Sequence, residues 1–353
     1  MRKAFVRLLT STALALSSAA GLGGGPAVAD PWTPAATDIV GVGGHSSAAL
    51  LNRLSQDYNA FLTGNGDTTS PRLYSWDAVG SSPIVPKSGA AAIARPSGAE
   101  AGLRALLNTT AATVDFARVE RSPRAYPEDT SANNFVALAK DAVSWAAKGS
   151  GHAPANLTSA QLKGIYECSV TNWRQIDSTL PDATIKPRLP FVGSSVRAHF
   201  LRTVNQGTDL VPGACVVSRT DQIEDQGTDP WLDDDDVVLP YSVGHYAGQV
   251  YKGHASGADA PGPMTVRSIN GIAPIDPALG RVSLAFAATT WGRVVNNVVR
   301  RADWDAGDAH AAALKAIFGT QGWICTNAAG AAAVADHGFV PLPKNACGSV
   351  SHA

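Results

Sequence analysis

A short β-branched strand that ends in a glycine pair and leads straight into an amphipathic helix most narrows what this chain can form. Asp38–Val42 is that strand and Gly43-Gly44 the turn, and Leu50, Leu51, Leu54, Tyr58 and Leu62 recur at helical spacing behind it. The pattern returns at Ile93, where Arg95-Pro96-Ser97-Gly98 leads into a helix expected over residues 99–107, and Thr113–Ala117 reads as another short strand. Thr158 with Gln161 forms a capping box, which predicts a helix over Ser159–Glu167. Residues 289–300 and 311–318 are expected as two further amphipathic helices. Strands alternating with helices indicate the α/β class, and the lack of a repeat with a period of about 20 to 50 residues excludes a solenoid. With 353 residues, 45% of them hydrophobic, the chain suits two domains that each bury a core.

The first residues read as a secretory signal peptide, residues 1–29. Met1, Arg2, Lys3 and Arg7 make a basic start, residues 8–25 are mostly small and apolar, and Ala27-Val28-Ala29 is a small-x-small site expected to be cut after Ala29. Ser11, Thr12, Ser17, Ser18 and several glycines interrupt the apolar stretch, which argues against a membrane anchor. No cysteine near the cut offers a lipid attachment point, so the expected product is soluble and secreted. Four cysteines in that compartment imply two disulfides; three pairings are open, and proximity along the chain favours Cys168–Cys215 and Cys325–Cys347. No C-x-x-C spacing exists and no histidine stands at ligand spacing from a cysteine, so no metal is expected. With 28 Lys and Arg against 29 Asp and Glu, nothing favours a nucleic acid or an acidic membrane, whose binding rests on many simultaneous phosphate contacts.

The segment Leu189–Phe200, LPFVGSSVRAHF, points to a ligand. It sets a Gly-Ser-Ser turn at the start of an expected helix, where unpaired N–H groups and the positive end of the macrodipole favour an anion. Ser194 and Ser195 add hydroxyl donors and Arg197 a planar charged fork. An ordinary serine-capped helix with a surface arginine explains the same residues. Two polar, proline-bearing stretches, Arg121–Thr130 and Pro240–Ser242, are expected as paired connections around an inserted domain, with residues 30–126 and 241–353 forming the first lobe and 127–240 the second. A cleft between such lobes is a favoured place for a small ligand. The acidic run Asp233–Asp236 lacks the spacing of a calcium loop and reads as a solvated surface loop, and Trp76, Trp145, Trp173, Trp291 and Trp323 read as packing.

GVGGHSS from Gly41, SGAEAG from Ser97, VDFAR from Val114, PFVGSSVR from Pro190, LPYSVGHYAGQ from Leu239 and FVPLP from Phe339 follow one another in an order that carries a resemblance. Over about Asp38 to Gly348 the chain resembles the phosphate-type substrate-binding proteins of ABC importers, most closely their secreted actinobacterial branch. The resemblance implies a two-lobed, class II periplasmic-binding-protein-like α/β fold that closes on an oxyanion, with no cofactor and no catalysis. It places His45, Ser46 and Ser47 in the first ligand loop and Ser97 in the second. Asp115, Arg118 and Glu120 fall in the third, with Glu120 as the carboxylate that takes a proton from phosphate, and Ser194, Ser195 and Arg197 fall in the fourth. Ser195 and Val196 stand where glycine and threonine are usual, and Pro190 where enterobacterial relatives have arginine.

The function so implied is extracellular capture of inorganic phosphate or a similar oxyanion by a monomer, with an ABC permease as the expected partner. A secreted adhesion, sensing or scavenging protein on the same scaffold, with a different or lost ligand, is the alternative. A secreted hydrolase finds less support, since neither a G-x-S-x-G elbow nor an H-E-x-x-H motif occurs.

Overall fold

The computed structural model describes residue 30, residues 33–124 and residues 129–352. The expected signal peptide and part of the first expected connection, residues 125–128, lie outside the described residues. Among the described residues no helix is long and apolar enough to cross a membrane.

The opening unit forms as its sequence dictates. Strand β1 (Ile39–Gly43) runs into helix α1 (Ala48–Gly64), which buries Leu50, Leu51, Leu54, Tyr58 and Leu62. Strand β2 (Leu73–Ser75), helix α2 (Ala99–Asn108) and strand β3 (Phe116–Val119) complete a parallel β2-β1-β3 arrangement. A sixteen-residue strand, β4 (Asn133–Lys148), follows. Helix α3 (Ser159–Glu167) starts at its capping box, with Gln161 N–H donating to Thr158 Oγ1 at 3.1 Å and Thr158 N–H to Gln161 Oε1 at 2.8 Å. Then come β5 (Lys186–Leu189), α4 (Ser195–Val204), β6 (Val237–Ser242), α5 (Val243–Tyr251), β7 (Gly292–Arg300), α6 (Ala309–Phe318) and α7 (Ala328–Asp336).

Pairing runs continuously in the order β2-β1-β3-β7-β4-β6-β5, and β4 makes this possible by its length. Its first half packs Phe135, Val136, Leu138 and Ala139 with α1, β1 and β7, whereas Ala142, Val143, Trp145 and Ala147 pack with α3, α4 and β6. β7 pairs antiparallel with it from Gly292 opposite Ala142 to Arg300 opposite Asn133. The antiparallel pair β4–β7 thus carries the chain between the two halves of the molecule.

Several expectations are corrected. Residues 292–300 form a strand instead of a helix. A bulge between Val295 and Asn296 breaks the alternation, and Val295 and Val299 enter one core cluster while Val298 enters another, so the valine pairs imitate helical spacing. Pro240–Ser242 is part of a buried strand, and Val243, Ile269, Val282, Phe286 and Trp291 pack in the same cluster as Trp145 and Phe200, so the chain rejoins its first core at β7 and not at Pro240. The acidic run lies at the surface as expected, with Lys148 paired with Asp233 and Asp235, and Lys186 with Asp234. As expected, Trp76, Trp145, Trp173, Trp291 and Trp323 are core, and the disulfides are Cys168–Cys215 and Cys325–Cys347.

Candidate functional site

The C-terminal ends of the parallel strands and the starts of α1 and α4 meet where β4 and β7 pass between the two halves. At the end of β1, Gly44 comes so close to Glu120 that a Cβ there would lie 2.1 Å from its Oε1, so any side chain at this position would displace the carboxylate. Behind it stand His45, Ser46 and Ser47 at the head of α1. From the other half, Gly193, at φ 104°, turns the chain into α4, which Ser194 caps by accepting the Arg197 N–H at 3.0 Å.

Glu120, fully buried, ties the two helix starts together. It accepts the Ser47 hydroxyl at 2.6 Å and the Ser47 N–H at 3.2 Å from α1, and the Ser195 hydroxyl at 2.9 Å from α4. Glu224 lies against the head of α4: one carboxyl oxygen meets the Ser194 hydroxyl and accepts the Val196 N–H at 3.2 Å, while the other is 3.4 Å from Ser195 Oγ and 3.5 Å from Ser46 Oγ. Asp225 accepts the Ser46 hydroxyl at 2.5 Å and the Ser242 N–H at 2.7 Å. Arg293 on β7 donates to Ser195 Oγ at 3.2 Å and Ser46 Oγ at 3.3 Å while gripping Asp141 of β4. Behind Ser46, His245 Nδ1 lies 3.0 Å from the Ser46 carbonyl and Nε2 2.6 Å from Asp259. Both ring nitrogens face acceptors, so the ring is an imidazolium.

Burial sets the protonation pattern. Desolvation, with Asp225 and Glu120 close by, pushes the Glu224 carboxyl up to about 8. Burial acts the same way on Glu120, but Arg293 and the hydroxyls of Ser47 and Ser195 outweigh it and hold that carboxylate below its ordinary value. Burial alone would lower His245, yet Asp259 raises it to about 10. Near neutral pH the cluster therefore contains an ionised Glu120 beside a protonated Glu224, an arrangement able to exchange a proton with a bound ligand.

The structure brings Ser46, Ser47, Glu120, Ser194 and Ser195 together. His45 is at the margin, 2.9 Å from Ser97 Oγ and edge-on to Phe191, and Ser97 reaches the cluster only through it. Burial lowers His45 to about 4, which makes it a poor base for that serine. Asp115 stands at the opposite end of β3 from Glu120, where it anchors the Val40 N–H, Lys87 and His310. Arg118 is fully buried and props the glycine turn, donating to the carbonyls of Gly44 at 3.0 Å and Gly43 at 3.3 Å and to Ser75 Oγ at 2.5 Å. Arg197 points away, donating to the Pro190 carbonyl at 2.9 Å and Ser218 Oγ at 2.6 Å. The site's arginine is Arg293, which sequence reasoning missed along with Glu224 and Asp225; none belongs to a local motif.

His254, Asp336 and His337 offer possible metal-ligand atoms within 4.8 Å of one another. The two imidazoles stack face to face at 4.2 Å and 10°, so their in-plane lone pairs do not converge on one ion.

A family model described as the PBP superfamily domain matches residues 31–332. No curated protein matches. Among solved structures, an ABC-type phosphate transport receptor from Vibrio cholerae is similar with a TM-score of 0.54 at 15% identity, covering 86% of this chain and 100% of the receptor. A high affinity periplasmic phosphate-binding protein bound with phosphate gives 0.53 at 15% identity, with 87% and 91% covered. The phosphate-binding protein from Stenotrophomonas maltophilia gives 0.50 at 14%, again with 87% and 91% covered. The shared architecture is the two-lobed periplasmic-binding-protein-like α/β fold.

Proposed function

This chain belongs to the PBP superfamily, and on that premise we propose that it is an extracellular solute-binding protein capturing phosphate or a related small oxyanion between its lobes for an ABC importer. The lobes in this reading are residues 30–141 with 292–353, and residues 142–291. The observation that carries the proposal is the meeting of Ser47 from α1 and Ser195 from α4 on one buried carboxylate, Glu120, beside Arg293. Hydroxyls, helix-start N–H groups and a guanidinium converging from both lobes are what a tetrahedral oxyanion needs. A carboxylate among them accepts the proton that phosphate carries near neutral pH and repels sulfate, which has none. Binding without catalysis is supported by the serine hydroxyls, which face carboxylates, and by His45, whose burial disables it as a base.

A thermal-shift panel of phosphate, arsenate, phosphonate, sulfate and small carboxylates tests this. A ligand at about a hundred times its Kd stabilises by about 2.7 kcal/mol, so phosphate should raise the melting temperature and sulfate should raise it less. No shift with any anion would refute the reading. A scavenging, sensing or adhesion protein with a weakened ligand is favoured by one observation, the pairing of the α4 donors with Glu224.

A further inference from the structure

Glu224 sits where the anion would sit. The donors at the head of α4, the Ser194 hydroxyl and the Val196 N–H, both meet its Oε2, and the hydroxyls of Ser46 and Ser195 flank its Oε1. These groups come from both halves of the molecule, and Glu224 is 2% exposed. We propose that Glu224 is a built-in pseudo-ligand that holds the cradle closed and sets its affinity, so that an oxyanion binds by expelling the Glu224 side chain. This rests on the reading of the cradle as an oxyanion site.

The backbone around Glu224 is fixed, so the exchange falls on the side chain. Asp225 stands at φ 62°, in the left-handed region, and its carbonyl accepts from Tyr241 Oη at 2.5 Å and Gln249 Nε2 at 2.9 Å. On the other side, the Gln222 carbonyl accepts the Phe191 N–H at 3.1 Å. The side chain has somewhere to go: a cavity of about 140 Å³ lined by Glu224 itself, His45, Asp77, Gln226, His245 and Asp259. An arriving anion would take over the Ser194 and Val196 donors and the facing hydroxyls, while Glu224 rotates towards the His45 side. The competition costs the ligand the contacts that Glu224 gives up, which lowers its apparent affinity.

Calorimetric titration of inorganic phosphate into the parent protein, Glu224→Ala and Glu224→Asp tests the proposal. Alanine vacates the seat. Aspartate keeps the carboxyl group but reaches about 1.5 Å less far, so it loosens occupancy of the α4 donors without removing the carboxyl. Both variants should bind phosphate more tightly than the parent, alanine by about tenfold or more. A parent that binds while neither variant is tighter overturns the pseudo-ligand and leaves the oxyanion reading standing. Tightening by alanine alone overturns it too, since the presence of a carboxyl group and not its hold on the α4 donors would then be the cause. No binding by any of the three overturns the oxyanion reading, and this inference falls with it. Should alanine fail to fold, the aspartate variant carries the test.

Discussion

Arg293 grips Asp141 with Nε and Nη2, each 2.8 Å from Oδ2, across the antiparallel pair that joins the two halves of the molecule. Asp141 in turn accepts the Ser242 hydroxyl at 2.9 Å and the Gly244 N–H at 2.9 Å, which ties the start of α5 to the same point. Held this way, the guanidinium can only aim its remaining protons at Ser46 and Ser195, one from each helix start.

Removing that arginine should therefore damage both fold and site. Arg293→Ala leaves Asp141 buried without its charge partner, a change that typically costs about 3–5 kcal/mol. Urea denaturation should show that loss, and Arg293→Lys should recover part of it, since an ammonium keeps the charge but not the two-pronged grip. A loss under about 1 kcal/mol for alanine would mean that Asp141 is held by its other donors.

Arg197 should behave oppositely, despite its place in the most suggestive motif. Its Nη1 donates to the Pro190 carbonyl and Ser218 Oγ, away from the cluster, so Arg197→Ala should leave phosphate affinity within about twofold and cost about 1 kcal/mol of stability. Calorimetry and denaturation on this one variant check both numbers. A thirtyfold loss of affinity, about 2 kcal/mol, would restore the arginine to the site.

Those two arginines show what the sequence could and could not reveal. A Gly-Ser-Ser turn before a helix made Ser194 and Ser195 legible, while Ser46, Ser47 and Glu120 were placed by the family resemblance. The side-chain direction of Arg197 was not legible, because a residue in a helix's first turn leans back over the preceding segment. Arg293 and Glu224 come from a strand and a loop without a motif, and reach Ser46 and Ser194 only through the pairing of distant strands. β7 was misread for a related reason: a bulge and burial on two faces hid the alternation that marks a strand. The capping box of α3 and the apolar stripe of α1 are local signals, and both gave their helices.

The two disulfides should be separable in their effects. Cys168–Cys215 spans 47 positions and Cys325–Cys347 spans 22. In the chain-entropy model each stabilises by about 3–4 kcal/mol, the longer loop slightly more. Intact mass of the purified, unreduced protein after alkylation should show no labelled thiol. Serine pairs at each bridge should lower the denaturation midpoint, more for Cys168–Cys215.

Stability should peak near pH 6.5. Burial lowers His45 to about 4, His199 to about 3 and His337 to about 4. The unfolded chain binds protons at these positions that the folded chain refuses, so their contribution is complete above the ordinary histidine value and is lost as pH falls. On the alkaline side, Glu224 at about 8 and His245 at about 10 hold protons in the fold that the unfolded chain has released, so stability falls as pH rises. Each such proton changes stability by about 1.4 kcal/mol per pH unit within its window. Urea midpoints from pH 4.5 to 9 should trace a peak, and a flat profile would show that these groups are solvated in solution.

A crystal structure of the protein grown with saturating phosphate examines the cradle directly. Phosphate should lie between the Val196 N–H, the hydroxyls of Ser46, Ser194 and Ser195, and Arg293, with Glu120 within hydrogen-bond reach and Glu224 turned towards His45. Phosphate absent from that position while Glu224 keeps its bonds to Ser194 and Val196 would contradict an oxyanion site between the lobes.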